Sequence, residues 1–358
     1  MKALQYLKIL LYVIVIEYGC NYKPSKKERI GPHNLIVVAM DTAAFYKLDI
    51  RNRSVNMQSL ADTTMKVLKR RLTKIGIDED MLDISENGKL IEIKIWNLLQ
   101  QDITVAEVNN MLRNGNLSFW ETFNASELTS CLISANKILE DLMVNDTTRI
   151  NKNDSVNGNA IHNLLVQADP LFKLLSIPRN DEGPVTIKVA EGPVLGSAIL
   201  EDTAKVGAYF RIHQIRALFP LNLKFMWERP NNKNEPRYQL IALKVPLPKG
   251  FAPLSGNIIT EAWTEFQSGE SHPDIAIGMT PVAGSIWARL TADNIGKNIA
   301  IVVDGMVYSA PQVLGRIERG RSTITGNFDV HEAKDMATIL SSGYIPVPIK
   351  IVKETIEN

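Results

Sequence analysis

Apolar and polar positions along the chain switch between a period of two and a period near 3.6, and the same order of switches occurs twice. Residues 34–40 form a short apolar run with strand character. Residues 57–75 place Leu60, Thr64, Val67, Leu68, Leu72 and Ile75 at helical spacing, and Gly76 comes next as a stop. Residues 81–85 and 89–96 alternate on either side of Asn87-Gly88, a strong hairpin signal. Residues 104–113 predict a helix with Thr104 as its cap and Glu107 three positions on, the spacing of a capping box. Residues 117–123 then read as a closing strand.

This βαββαβ order is that of a ferredoxin-like unit, and it returns near the C-terminus. Residues 274–279 predict a strand and 282–295 a helix ended by Gly296. Residues 297–303 and 306–309 flank Asp304-Gly305, again a two-residue hairpin turn. A short strand at 322–325, a helix at 329–340 and a last strand at 346–352 complete the set. The closing helix-to-strand joins also match, residues 111–115 ending in Gly115 and residues 339–343 in Gly343. Two such units indicate an internal duplication, or two halves of one composite sheet.

Between them lies a segment of different texture. A helix at 127–144 precedes a very polar stretch at 145–159, expected to be mobile, and a second helix at 161–175. Gly183-Pro184 and Gly192-Pro193 punctuate the region after that helix. Helices are predicted at 200–218 and 258–267, with paired strands at 223–227 and 238–245 between them. The expected organisation is therefore α+β: a base of two βαββαβ repeats at 34–123 and 274–358, carrying an inserted α+β head at 124–273.

Composition changes this picture little. Of 358 residues 45% are hydrophobic, and 40 Lys and Arg against 39 Asp and Glu leave a formal net charge of +1. That balance gives no electrostatic reason to expect nucleic acid. Lys69-Arg70-Arg71 sits on an amphipathic helix and reads as a solvated face. Two cysteines and five scattered histidines show no metal-ligand spacing, so neither metal nor cofactor is expected.

The N-terminus adds more. Lys2 and Lys8 precede an apolar run at 9–16, too short for the ~20 residues a spanning helix needs, which reads as an export signal. Gly19-Cys20 suggests lipid attachment at Cys20 after cleavage, although Glu17 fits that site poorly; a simple signal or an uncleaved anchor is the competing reading. Residues 1–20 are thus taken as signal or anchor, and the polar, basic stretch at 21–33 as a tether.

The most specific wording lies at residues 294–311, Asn-Ile-Gly-Lys-Asn-Ile-Ala-Ile-Val-Val-Asp-Gly-Met-Val-Tyr-Ser-Ala-Pro, and continues from Gly320 to Phe328. It strongly resembles the part of the SecD protein-export family that precedes its long run of membrane helices. Residues 332–335, 340–343 and 346–349 are similar to the same family, as are residues 67–72 with Gly76-Ile77. Residues 117–122 and 252–256 resemble SecD–SecF fusions of the Bacteroidetes type. The chain departs from the family at Ala39-Met40-Asp41-Thr42-Ala43, where a glycine pair is usual, and it ends at Asn358 where a membrane bundle comes next in the family.

The resemblance implies a non-enzymatic envelope protein on the periplasmic side, without proton-driven motor activity. Its partners would be unfolded or translocating polypeptide and the Sec translocon or SecD–SecF, with membrane contact only through the N-terminal anchor. The alternative is a lipoprotein scaffold that has left export. The motif residues Asn294, Gly296, Asp304, Gly305, Tyr308, Ser309, Pro311, Gly326 and Asn327 read as mainly structural: a helix stop, a type I′ turn and a strand end. No histidine or carboxylate stands where it would activate Ser309, so no catalytic residue is assigned. In the insert, Phe172, Leu175, Phe210 and Phe219 either line an apolar groove for a polypeptide or pack that segment's own core.

Overall fold

The computed structural model describes residues 32–41, 57–98, 102–150, 169–177, 191–230, 234, 236–248, 250–267, 269 and 272–357. Cys20, residues 21–31 of the tether and the segments at 151–168 and 178–190 lie outside the described residues. In chain order the elements are β1 (His33–Met40), α1 (Met57–Lys74), β2 (Leu82–Asn87), β3 (Leu90–Trp96), α2 (Val105–Asn110), β4 (Leu117–Glu121) and α3 (Ala125–Ile150). Next come α4 (Pro170–Leu174), β5 (Val194–Ala198), α5 (Leu200–Tyr209), α6 (His213–Arg216), β6 (Leu223–Glu228), β7 (Tyr238–Lys244), β8 (Leu254–Ser255) and β9 (Ile259–Glu265). The rest are β10 (Asp274–Met279), α7 (Pro281–Asp293), β11 (Ile299–Val303), β12 (Met306–Ser309), β13 (Arg321–Ile324), α8 (Val330–Ser342) and β14 (Ile349–Glu357).

The chain divides into two compact units, Met1–Asn114 with Ile345–Asn358, and Gly115–Tyr344. The first holds a four-stranded antiparallel sheet in the order β14-β1-β3-β2. Ile36 and Val38 of β1 stand opposite Ile93 and Ile91 of β3 on one face, and all four are fully buried. Helix α1 buries Leu60, Val67, Leu68 and Leu72 at the predicted spacing. The capping box of α2 is present: Thr104 Oγ1 accepts from the Glu107 amide at 3.2 Å, and Glu107 Oε2 accepts from the Thr104 amide at 2.7 Å. Arg71 is fully buried and donates to the carbonyls of Met111 at 2.8 Å, Asn114 at 2.9 Å, and Arg113.

The α+β class holds, but two strands have partners other than those expected. Residues 117–123 do not close the first unit; β14 does, pairing with β1 over its whole length. Strand β4 instead lies between β11 and β8. The reason is in the side chains. Leu117, Ser118, Phe119 and Trp120 are all buried, so β4 needs cover on both faces and a neighbour on each edge, whereas most of β14 is exposed and suits a sheet edge. The second repeat likewise does not form a sheet of its own. Strand β10 sits between β13 and β9 in a three-stranded sheet, while β11 and β12 enter a seven-stranded sheet in the order β5-β7-β6-β12-β11-β4-β8. Of the two sequence readings, the composite sheet is closer, because the paired strands β4 and β11 come from the first and the second repeat.

Local corrections have the same cause. Residues 258–267, expected as a helix, form β9, where Ile259, Ala262 and Trp263 pair against β10. The helix expected at 200–218 is broken into α5 and α6, because Phe210 and Phe219 turn into one aromatic cluster with Phe225. Helix α3 runs on to Ile150, into the start of the polar stretch, and β5 was not expected.

Candidate functional site

The family-like wording at 294–311 builds a wall in the second unit. Asp304 at φ 51° and Gly305 at φ 81° give the type I′ turn that the dipeptide predicts. Asp304 Oδ1 accepts from the Asn116 amide at 2.8 Å and the Asp304 amide donates to the Asn116 carbonyl at 3.1 Å, which ties the turn to the start of β4. After α7, Asn294 donates through Nδ2 to Glu121 Oε1 at 2.7 Å and to the Leu290 carbonyl at 2.9 Å, and Gly296 takes φ 80°. The segment leaving β12 is then laid back along the same stretch. The Ile299 amide donates to the Pro311 carbonyl at 3.2 Å, the Val313 amide to Lys297, and the Gly296 amide to Val313, both at 2.8 Å. Tyr308 stacks on Phe328 with centroids 6.0 Å apart, and the Arg229 guanidinium lies over both rings while pairing twice with Glu332, at 2.6 and 3.0 Å. Gly326 makes room for the Phe328 ring, which would come within 2.8 Å of a Cβ there, and Asn327 is half-buried beside it. Ser309 Oγ is buried and has no hydrogen-bond partner among the described residues, none of which polarises it as a nucleophile.

That wall borders an open cleft of about 550 Å³. Trp263, Trp287, Ile299, Ile301, Val313 and Leu314 supply its apolar lining, with Glu265 and Arg321 as its charges. Leu314 is 88% exposed and Trp263 36%, an unusual display for two large apolar side chains. Arg321 lies over the Trp263 ring at 5.9 Å. At the inner end Trp287 packs on Phe119 with centroids 4.6 Å apart, and its indole N–H is buried with no acceptor among the described residues. Strand β13, which lines the cleft through Arg321, Ser322 and Thr323, is an edge of the three-stranded sheet. The arrangement offers apolar area and a strand edge, with no cluster of metal-ligating side chains among the described residues.

The sequence marked Pro311 but not the cleft it helps to line. Trp263, Leu314 and Arg321 come from three separate segments, and the one available signal was the apolar Val313-Leu314 in an otherwise polar loop. The insert residues stand elsewhere. Leu175, Phe210 and Phe219 are 0, 4 and 4% exposed and belong to one core with Leu128, Leu132 and Leu240, while Phe172 packs half-buried against it. Their groove reading is corrected to core for Leu175 and Phe219, since their apolar surface is already covered; Phe210 is buried too but borders a small pocket. Glu228, at the end of β6, is buried with no partner for its carboxyl among the described residues, and burial pushes its pKa up to about 7.

Comparison with known proteins places this cleft within a segment that matches a family model. Residues 244–347 match the family model described as SecDF, P1 head subdomain. That match covers somewhat under a third of the chain. The similarity to SecD runs wider: the chain is 36% identical over 181 residues to the protein translocase subunit SecD of Rhodothermus marinus, covering 49% of this chain and 28% of that protein. It is 29% identical over 339 residues to SecD of Rickettsia conorii, covering 91% of this chain and 57% of that relative. The chain thus spans between about a fifth and somewhat over half of the SecD relatives it matches. Among solved structures, a SecDF described as a membrane component that enhances protein export is 17% identical, with 89% of this chain and 98% of that chain covered at a TM-score of 0.45. A SecDF in its super-membrane-facing form is 16% identical, with 99% and 35% covered at 0.48. The matched head segment includes residues 274–347, which the sequence pattern assigned to a second base repeat. Among the described residues no helix is long and apolar enough to cross a membrane.

Proposed function

We propose that this SecD relative serves protein export on the periplasmic side of the bacterial envelope, by binding unfolded or translocating polypeptide in the cleft beside β13 and docking on the Sec translocon or a SecD–SecF complex. The cleft is the observation that carries this reading. An extended chain laid along the edge of β13 has backbone groups to pair with, and Leu314 and Trp263 to cover its apolar side chains. Kinship with SecD supports the polypeptide as cargo.

The test is binding of a permanently unfolded, fluorescently labelled polypeptide to the full chain by anisotropy, together with a pull-down from envelope membranes. Covering one leucine is worth about 1.5–3 kcal/mol, or roughly ten- to hundred-fold in affinity. Because Leu314 is 88% exposed, Leu314→Glu leaves the core intact and is expected to weaken binding by that factor. Binding unchanged by Leu314→Glu and by Trp263→Ala would remove the cleft from the mechanism. Failure of the unaltered chain to bind, with stable recovery of partners other than Sec subunits, would favour a scaffold that has left export.

A further inference from the structure

A second pocket lies outside the matched head segment, between α5, α6 and the strands β6 and β7. It measures about 310 Å³, near the lower end of ligand sites and enough for one large side chain. Phe210, Phe225, Trp227 and Leu240 wall it, and Phe210 and Phe225 are stacked at 4.3 Å, so the cavity is held open by rigid rings. Gly207 faces it without a side chain. The Arg211 guanidinium folds back over that glycine, its Nη1 3.8 Å from where a Cβ would stand.

The charges at this pocket are of one sign. Its ionisable lining residues are Arg211 and Arg216, with no carboxylate among them. Arg216 is spent on structure, donating to the carbonyls of Phe219, Pro220, Leu221 and Leu223 at 3.1 to 3.4 Å. It contributes field but few free donors. Arg211 has no hydrogen bond or ion pair to its guanidinium among the described residues and is exposed, so its donors face solvent at the mouth. Glu228 is next to Trp227 in sequence, but the alternation of β6 turns it to the opposite face of the sheet.

We propose that this pocket binds the C-terminal residue of a polypeptide, an aromatic or aliphatic side chain entering between Phe225 and Trp227 while the terminal carboxylate pairs with Arg211. A buried apolar side chain with an anion one residue-length away is the ligand that an apolar pocket with an unspent guanidinium at its mouth complements. The choice of a peptide as the carboxylate's source rests on the polypeptide-binding reading above, but the site and its residues are separate from the cleft.

The experiment is a titration of the full chain with Gly-Gly-Phe bearing a free C-terminus and with its C-terminal amide. The free acid is expected to bind at least ten-fold more tightly. Arg211→Gln, at an exposed position, should lower the acid to the level of the amide and leave the amide unchanged. Arg216→Gln is unsuitable, since it would break the clamp on four carbonyls. Equal affinity of acid and amide, or a preference that survives Arg211→Gln, overturns the assignment; so does decanoate binding where the peptide acid does not. Leu314→Glu separates the two sites: loss of unfolded-chain binding with the acid preference intact is expected. Loss of that preference in Leu314→Glu would show that a single site had been split in two.

Discussion

Glu228→Gln is the substitution whose effect can be worked most fully from the structure. Strand β6 alternates, so Lys224, Met226 and Glu228 share a face on which Trp120, Ile241, Val302 and Val307 form a core. Across the strands Glu228 stands opposite Gln239 on β7 and Val307 on β12. Lys224 lies four positions back, ~13 Å along the strand, with its Nζ over the Trp120 ring at 5.2 Å, too far to neutralise the carboxylate. Burial alone therefore raises the carboxyl to about 7 from its ordinary 4.5. The folded state holds a proton that the unfolded chain releases between those two values. Stability from this group is complete below about pH 4.5 and falls as pH rises to 7, at about 1.4 kcal/mol per pH unit, for a total of about 3 kcal/mol. Gln has nearly the same shape and no charge. Urea unfolding of both proteins from pH 4 to 8.5 should therefore give similar stabilities at pH 4 and a variant more stable by about 3 kcal/mol above pH 7.5. Curves that stay parallel across this window would show that the carboxylate is ionised and solvated in the folded state, and the argument from burial would fail.

Other substitutions probe the frame. Arg71→Ala leaves the buried carbonyl of Met111 and the part-buried carbonyls of Arg113 and Asn114 without their donor and should cost about 3–5 kcal/mol by urea unfolding. Thr104→Ala removes one half of the capping box and should cost about 1 kcal/mol, with faster amide exchange confined to α2. Gly207→Ala places a methyl in ordinary contact with Arg211 within α5 and should stabilise the chain by roughly 0.5–1 kcal/mol, as a rise in the thermal midpoint.

Much of this molecule was legible residue by residue. The stops at Gly76 and Gly296, the capping box at Thr104 and Glu107, and the Asp304-Gly305 turn each depend on a few neighbouring residues. The conformation they require, a positive φ or a short reach to a free amide, is a local quantity that the residue type sets. Helix and strand periods were equally readable where alternation was clean, as in β3 and α1.

Strand neighbours and pockets were a different matter. Alternation says which face a side chain occupies, but a strand's backbone donors and acceptors are alike along every edge and carry no address. Two copies of the same element order therefore left β4 and β14 interchangeable on paper. What separated them was the tertiary demand for cover: Leu117 to Trp120 require a neighbour on both edges and packing on both faces, and β14, rich in exposed charge, does not. The same non-local accounting made β9 a strand, because only beside β10 can Ala262 and Trp263 take opposite faces of a sheet. It also assembled the cleft from Trp263, Leu314 and Arg321, which no spacing in the sequence could have joined. The sequence by itself determined the likeness to SecD, the α+β class and the local turns and caps. The sheet partners, the cleft and the unspent Arg211 were decided by packing, since each depends on surfaces that meet only after distant segments have folded together.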